Sequence, residues 1–130
     1  MKKVLFVCIE NTCRSQMAQG FFNKFASNAF ADSAGTQPSD QVDSKATIVM
    51  KKVGINIGQN KPKMLTSSMN NEFDYIISMG CIDSCPIPPR DKTIEWNIED
   101  PKGKSVDKYR EIRDKIRTQV EQLIEEKFIS

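Results

Sequence analysis

From Val4 to Val7 the chain is continuously apolar, and it passes straight into Cys8-Ile9-Glu10-Asn11-Thr12-Cys13-Arg14-Ser15, after which the hydrophobic period becomes helical. A short unbroken apolar run with β-branched residues is the pattern of a strand covered on both faces, so residues 3–7 read as a buried strand. Met17, Ala18, Phe21, Phe22 and Phe25 then fall on one helical stripe, with Gln16, Gln19, Asn23 and Lys24 opposite. A buried strand that feeds a helix at once is the first half of a parallel crossover unit.

The rest of the chain continues that order. Residues 29–33 read as a second strand closed by Ala34-Gly35. Val42, Ala46, Val49, Met50 and Val53 trace a second amphipathic helix with Gly54 at its C-cap position. Residues 55–72 are polar and irregular, residues 74–79 are a buried strand, and the proline-rich residues 80–91 form a loop. Thr93-Ile94-Glu95-Trp96 is a short last strand, and Val106, Tyr109, Ile112, Ile116, Val120, Leu123 and Ile124 make a long final helix beginning near Ser105. The expectation is an α/β fold in a single domain over residues 1–130, a parallel sheet with helices on both faces. Ligands of such sheets bind beyond the carboxyl ends of the strands. The segments that follow strands one, three and four carry Cys8 to Ser15, then Cys81 and Cys85, then Asp100, and all would share that rim.

Composition narrows the chemistry. Nineteen Lys+Arg against 17 Asp+Glu leave a net charge of +2, which gives no electrostatic case for nucleic acid or a membrane surface. No run is long enough to span a bilayer and no signal peptide is read, so a cytoplasmic protein is expected. There is no histidine, which excludes Ser-His and Cys-His catalysis and every His-ligated metal. The four cysteines fall in two close pairs, Cys8/Cys13 and Cys81/Cys85. In a reducing compartment such pairs point to redox, nucleophilic or metal chemistry rather than to a structural disulfide framework.

The first loop has the makings of an oxyanion cradle. Wrapped around its own centre at a helix N-terminus, it would aim the backbone N–H groups from Ile9 through Glu10, Asn11, Thr12 and Cys13 to Arg14 at one point, backed by the helix dipole. Arg14 adds a planar fork suited to two oxygens of a tetrahedral anion. Cys8 at the floor of such a cradle would be favoured as a thiolate nucleophile, with Ser15 donating a hydrogen bond to its sulfur. Asn11 tolerates the left-handed backbone that the loop needs. Cys13 reads as a small buried residue of the outer wall.

Val7-Cys8-Ile9-Glu10-Asn11-Thr12-Cys13-Arg14-Ser15-Gln16-Met17-Ala18 resembles the phosphate-binding loop of low-molecular-weight tyrosine phosphatases and of thioredoxin-coupled arsenate reductases. The likeness continues through Ser33-Ala34-Gly35, Val53-Gly54-Ile55, the Cys81 to Pro89 region and Asp100-Pro101-Lys102-Gly103-Lys104. It implies a four-stranded parallel sheet in the flavodoxin-like strand order 2-1-3-4. Cys81 and Cys85 favour the reductase branch, whose members carry a redox pair after the third strand. The segment from Trp96 to Lys104 resembles the reductases too, whereas the phosphatases typically have Asp-Pro-Tyr there.

That resemblance implies a three-cysteine relay. Cys8 attacks arsenate while Asp100 protonates the leaving oxygen, Cys81 attacks Cys8 and expels arsenite, and Cys85 then forms a Cys81–Cys85 disulfide. An external dithiol such as thioredoxin reduces it, and a monomer without cofactor or metal suffices. The Cys81–Cys85 separation is shorter than in comparable family members. A bridge needs Cβ atoms about 3.8 Å apart, so closing it implies a segment 80–90 that rearranges on oxidation.

Some reductases of this family bind potassium beneath the loop. The matching positions here are Asn11, Gln19, Ser33, Lys61 and Lys63, with Gln19 in place of an acid and lysines in the region of other ligands. Potassium independence is therefore expected, with either a lysine ammonium or neutral hydrogen bonds in the cation's role. Two other readings compete. One is a phosphatase acting through the same loop. The other is a zinc module on Cys8-x4-Cys13 and Cys81-x3-Cys85, which would leave Arg14 unexplained and put a cation where the loop favours an anion.

Overall fold

A computed structural model describes residues 2–79 and 92–128. Four strands, β1 (Lys2–Cys8), β2 (Ala29–Gly35), β3 (Tyr75–Ser78) and β4 (Thr93–Glu95), form one parallel sheet in the order β2-β1-β3-β4. The helices are α1 (Arg14–Phe25), α2 (Ser44–Lys51), α3 (Met69–Glu72) and α4 (Val106–Lys127). The expected fold class and strand order are those observed.

The alternation along β1 explains why its sequence is apolar throughout. Val4, Phe6 and Cys8 face one cluster, with Met17, Phe21 and Phe22 of α1 and Ile112, Ile116 and Val120 of α4. Leu5 and Val7 face the other, with Ala34, Leu65, Phe73 and Ile76. Both faces are covered, as a central parallel strand requires. Ala46, Val49 and Met50 of α2 join the first cluster, while Met69 of α3 packs on the second. Phe6 and Phe22 meet edge to face at 6.0 Å between ring centroids, and Phe22 meets Phe128 at 5.2 Å. Each such fully buried side chain contributes about 1.5–3 kcal/mol.

Capping sets the helix ends. Asp43 accepts from the Lys45 amide at 2.8 Å to start α2, and Ser105 accepts from the Lys108 amide at 3.3 Å to start α4, as its position predicts. The helix traced from Val42 to Val53 is shorter than its periodicity, because the Asp43 cap leaves Val42 outside and the chain turns after Lys51. Gly54 follows at φ +82°, the left-handed backbone expected there.

Residues 55–72 depart from expectation. They include the one-turn α3, and they send Ile57 to one core cluster and Leu65 to the other. A helix of four residues has no period to detect, and isolated apolar residues in a polar stretch look like surface. The register ends Cys8 beside Gly35, and Val7 beside Ser78, so the carboxyl ends of β1, β2 and β3 open on one rim.

Candidate active site

The loop after β1 is turned inside out relative to ordinary backbone. The Cys8, Ile9 and Glu10 carbonyls accept from the amides of Thr36, Gln37 and Ser39 at 3.3, 2.8 and 3.2 Å. The Thr12 carbonyl accepts from Asp43 at 3.0 Å and that of Cys13 from Met17 at 2.9 Å, while Gln16 Nε2 donates to the Asn11 carbonyl at 3.1 Å. All six carbonyls of residues 8–13 are thus engaged by flanking groups. The amides of residues 9–14 donate to no acceptor among the described residues. Backbone donors without protein partners, gathered at a helix N-terminus, are the elements of an anion site.

Asn11, at φ +56°, makes the turn possible and is wholly buried. Its side chain is fixed by the Lys63 amide, which donates to Oδ1 at 3.0 Å. Nδ2 therefore faces the other way and donates to Ser15 Oγ at 2.8 Å. Ser15 Oγ accepts from Asn11, which leaves Cys8 Sγ, 2.8 Å away, as the partner for its own proton, and a thiolate at Cys8 can only accept it. The sulfur at the loop floor receives a hydrogen bond aimed by three residues. Asn60 steadies this arrangement from outside by donating to Gln16 Oε1 at 3.0 Å.

Gly35 lets the loop come so close. A Cβ there would lie 2.6 Å from the Ile9 carbonyl oxygen and 2.9 Å from the Asn11 nitrogen, both backbone atoms with no room to yield. Neither contact was legible in the sequence, since a residue at the end of β2 and one after β1 are joined only by the sheet.

Arg14 and Asp100 meet at the rim. Arg14, at the start of α1, is 6% exposed, and its Nη1 donates to the Ile98 carbonyl at 2.9 Å. Its Nη2 lies 3.7 Å from Asp100 Oδ2, and Asp100 Oδ1 accepts from the Lys102 amide at 3.1 Å. Ser15 thus lies against Cys8, and Asp100 against Arg14, with Ile9, Glu10, Asn11, Thr12 and Cys13 forming the loop between Cys8 and Arg14. Cys81 and Cys85, and the proposed rearrangement of 80–90, lie outside the described residues.

The two described cysteines are free and buried but not equivalent. Burial, with the Asp43 carboxylate adding to it, pushes the Cys13 thiol well above its ordinary value, so Cys13 stays protonated. Asp43 itself accepts from the buried Tyr109 hydroxyl at 2.5 Å, and burial followed by that bond pushes the Tyr109 phenol up. These groups tie the back of the loop to α2 and α4.

Beneath the loop the five positions weighed for a cation separate. Ser33 Oγ donates to Gln19 Oε1 at 2.5 Å. Lys63 braces Asn11 through its backbone, while its half-exposed ammonium pairs with Asp32. Lys61 is exposed. Of the two alternatives, Lys63 does not supply the ammonium beneath the loop: its charge points outward to Asp32, a partner that lies 31 residues away in sequence and meets it only in the fold. Among the described residues no group of three or more His, Cys, Asp or Glu side chains can hold a metal, and no helix is long and apolar enough to cross a membrane.

Comparison with known proteins agrees with this geometry. A family model described as low molecular weight phosphotyrosine protein phosphatase matches residues 3–128. The glutaredoxin arsenate reductase of Synechocystis sp. is 36% identical over 95% of this chain and 97% of its own. Arsenate reductase 2 of Staphylococcus haemolyticus is 34% identical over 92% and 94%. The low molecular weight protein tyrosine phosphatase of T. tengcongensis superposes with a TM-score of 0.88 at 29% identity, over 97% of this chain and 99% of that one. With a cysteine-floored anion loop on the matching sheet, the chain belongs to the low molecular weight phosphotyrosine protein phosphatase family.

Proposed function

We propose that the protein reduces arsenate to arsenite by a thiol–disulfide relay that begins at Cys8. The observation that carries this reading is the loop that follows β1, in which the carbonyls of residues 8–13 are all engaged by flanking groups while the amides of residues 9–14 have no acceptor among the described residues, with Cys8 at its start. Such a cradle takes a tetrahedral oxyanion, and arsenate and phosphate are near-isosteres. The relatives of matching length that are named arsenate reductases favour arsenate.

In the proposed sequence, the Cys8 thiolate attacks the As(V) centre of an anion held by the loop amides and Arg14. Asp100 gives its proton to the departing oxygen, which leaves as water. Cys81 then attacks the Cys8 sulfur. An S–S bond forms, the S–As bond breaks with its electron pair remaining on arsenic, and arsenite leaves as As(III). Cys85 attacks Cys81, returning Cys8 as a thiolate and leaving Cys81–Cys85 oxidised. An external dithiol, thioredoxin or glutaredoxin, supplies the two electrons that restore the pair.

Chain length supports the second step. The Met79 amide donates to the Val7 carbonyl at 2.8 Å, next to Cys8. Cys81 is two residues further on, a span of at most about 7 Å.

The phosphatase reading shares the loop, Arg14 and Asp100, and the family's name supports it. An arsenate turnover assay with thioredoxin and its reductase, and separately with glutaredoxin and glutathione, decides. Sustained arsenite production with one of them is expected. Hydrolysis of an aryl phosphate without arsenite production in either system overturns the reductase reading in favour of the phosphatase.

A further inference from the structure

Asp100 sits on a turn that the fold holds at its ends. Ile98 is fixed through its carbonyl by Arg14 at 2.9 Å, and the Lys104 carbonyl accepts from Lys45 Nζ at 2.6 Å. Between them the Lys104 amide closes a turn on the Pro101 carbonyl at 2.9 Å, and Gly103 takes φ +80° with nothing within 4 Å of a Cβ built on it. This part of the turn therefore stands clear of the body of the protein. Lys102 reaches back across the rim. Its Nζ lies 2.5 and 2.7 Å from the two carboxylate oxygens of Glu10, in the middle of the anion loop, while its own amide donates to Asp100 Oδ1 at 3.1 Å. One residue thus grips the cradle with its side chain and the Asp100 carboxylate with its backbone.

We propose that Glu10 and Lys102 are a positioning pair that sets where Asp100 stands over the cradle, an inference that rests on the reading of Asp100 as the general acid. The pair has two separable effects. Lys102 neutralises a carboxylate that would otherwise oppose anion binding on the loop itself, and the link between the two residues holds the turn in place. An exposed ion pair is weak in stability terms, since Lys102 is 60% and Glu10 29% exposed. Proton transfer is far more sensitive to position than folding is, because a displacement of about 1 Å can cost about a hundredfold in rate. The hydrogen bond that Lys102 donates to Glu10 holds the ammonium protonated above its ordinary range, so the link persists throughout neutral pH.

Steady-state kinetics on Lys102→Met, the double variant Glu10→Gln/Lys102→Met, and the charge exchange Glu10→Lys/Lys102→Glu tests this. Lys102→Met leaves Glu10 uncompensated and the turn untied, so KM rises about threefold and kcat falls about tenfold. The double variant removes the charge imbalance but not the loss of the link: KM returns and kcat stays low. The charge exchange recovers most of kcat. A double variant with wild-type kcat, or a charge exchange that recovers nothing, overturns the proposal.

Arsenate turnover and aryl phosphate hydrolysis are both measured. If the wild type hydrolyses the ester but does not reduce arsenate, the reductase reading fails and the pair is judged on hydrolysis. If the wild type does neither, hydrogen exchange at the amides of Asp100, Lys102, Gly103 and Lys104 decides. Faster exchange in Lys102→Met, with α4 unchanged, supports the link, and unchanged exchange overturns it.

Discussion

The Lys63 amide donates to Asn11 Oδ1 at 3.0 Å, and this one bond fixes which way the buried Asn11 amide faces. Because Oδ1 is taken, Nδ2 meets Ser15, and because Ser15 Oγ then accepts, its proton meets Cys8. A backbone group 52 residues distant in sequence from Asn11 thereby orients the last hydrogen bond to the sulfur.

Ser15→Ala removes that last donor, and Asn11→Ala removes the group that aims it. A hydrogen bond to a charged partner contributes about 1.5–3 kcal/mol, so Ser15→Ala should slow alkylation of Cys8 by iodoacetamide at pH 7 by about tenfold or more. Asn11→Ala should slow it as well and also lower the melting temperature, because its bonds are wholly buried and its backbone sits at φ +56°. Unchanged alkylation in Ser15→Ala would mean that its hydroxyl does not serve the sulfur.

Cys8→Ser should abolish arsenate reduction and phosphate-ester hydrolysis together, since a hydroxyl does not supply the anionic nucleophile. Cys81→Ser and Cys85→Ser should stop multiple-turnover arsenate reduction yet leave ester hydrolysis largely intact, because water replaces the second thiol there. Cys85→Ser should accumulate a Cys8–Cys81 disulfide that peptide mapping detects after one turnover. Absence of that linkage would mean that the proposed order of the relay is wrong.

Stability should fall on the alkaline side. Cys13 and Tyr109 are both raised from their ordinary values of 9.0 and 10.0, chiefly by burial. Each binds its proton more tightly in the folded chain than in the unfolded one, so its contribution is complete below the ordinary value and is lost as pH climbs above it. Urea denaturation between pH 7 and pH 10.5 should show a decline that begins near pH 9. Tyr109→Phe should be less stable at pH 7, having lost the bond to Asp43, and should decline less steeply. Parallel curves for the two proteins would refute the assignment to Tyr109.

Potassium should not matter. Lys63 already faces the Asp32 carboxylate, and Gln19 brings no charge. Melting temperature and turnover in potassium and in sodium at matched ionic strength should agree, and a potassium-specific gain in either would contradict this. Lys63→Met should cost less than about 1 kcal/mol, because both partners of the pair are partly exposed.

The sequence carried the sheet and the chemistry of the loop because both rest on local signals. Val4 to Val7 announce a central strand by composition alone, and Cys8, Arg14 and Ser15 announce the cradle by residue type and spacing. What stayed hidden depends on backbone groups or on pairs far apart in the chain. The Lys63 amide is common to every residue but proline, so nothing in the letters marks it. Glu10 and Lys102, or Asp43 and Tyr109, become neighbours only after β1, α2 and α4 have been packed together. Ile57 and Leu65 were missed for the opposite reason, since each is a lone apolar residue whose burial has no periodic echo.

The engagement of the loop carbonyls by Thr36, Gln37, Ser39 and Asp43 has a consequence for anyone who would transplant the site. The eight residues from Cys8 to Ser15 are not a portable motif. Their shape is cast against the stretch from Gly35 to Asp43, which serves as the mould. Grafted alone onto another strand–helix junction, the same letters would leave the carbonyls free to swing inward, and the pocket would present oxygen where it must present N–H.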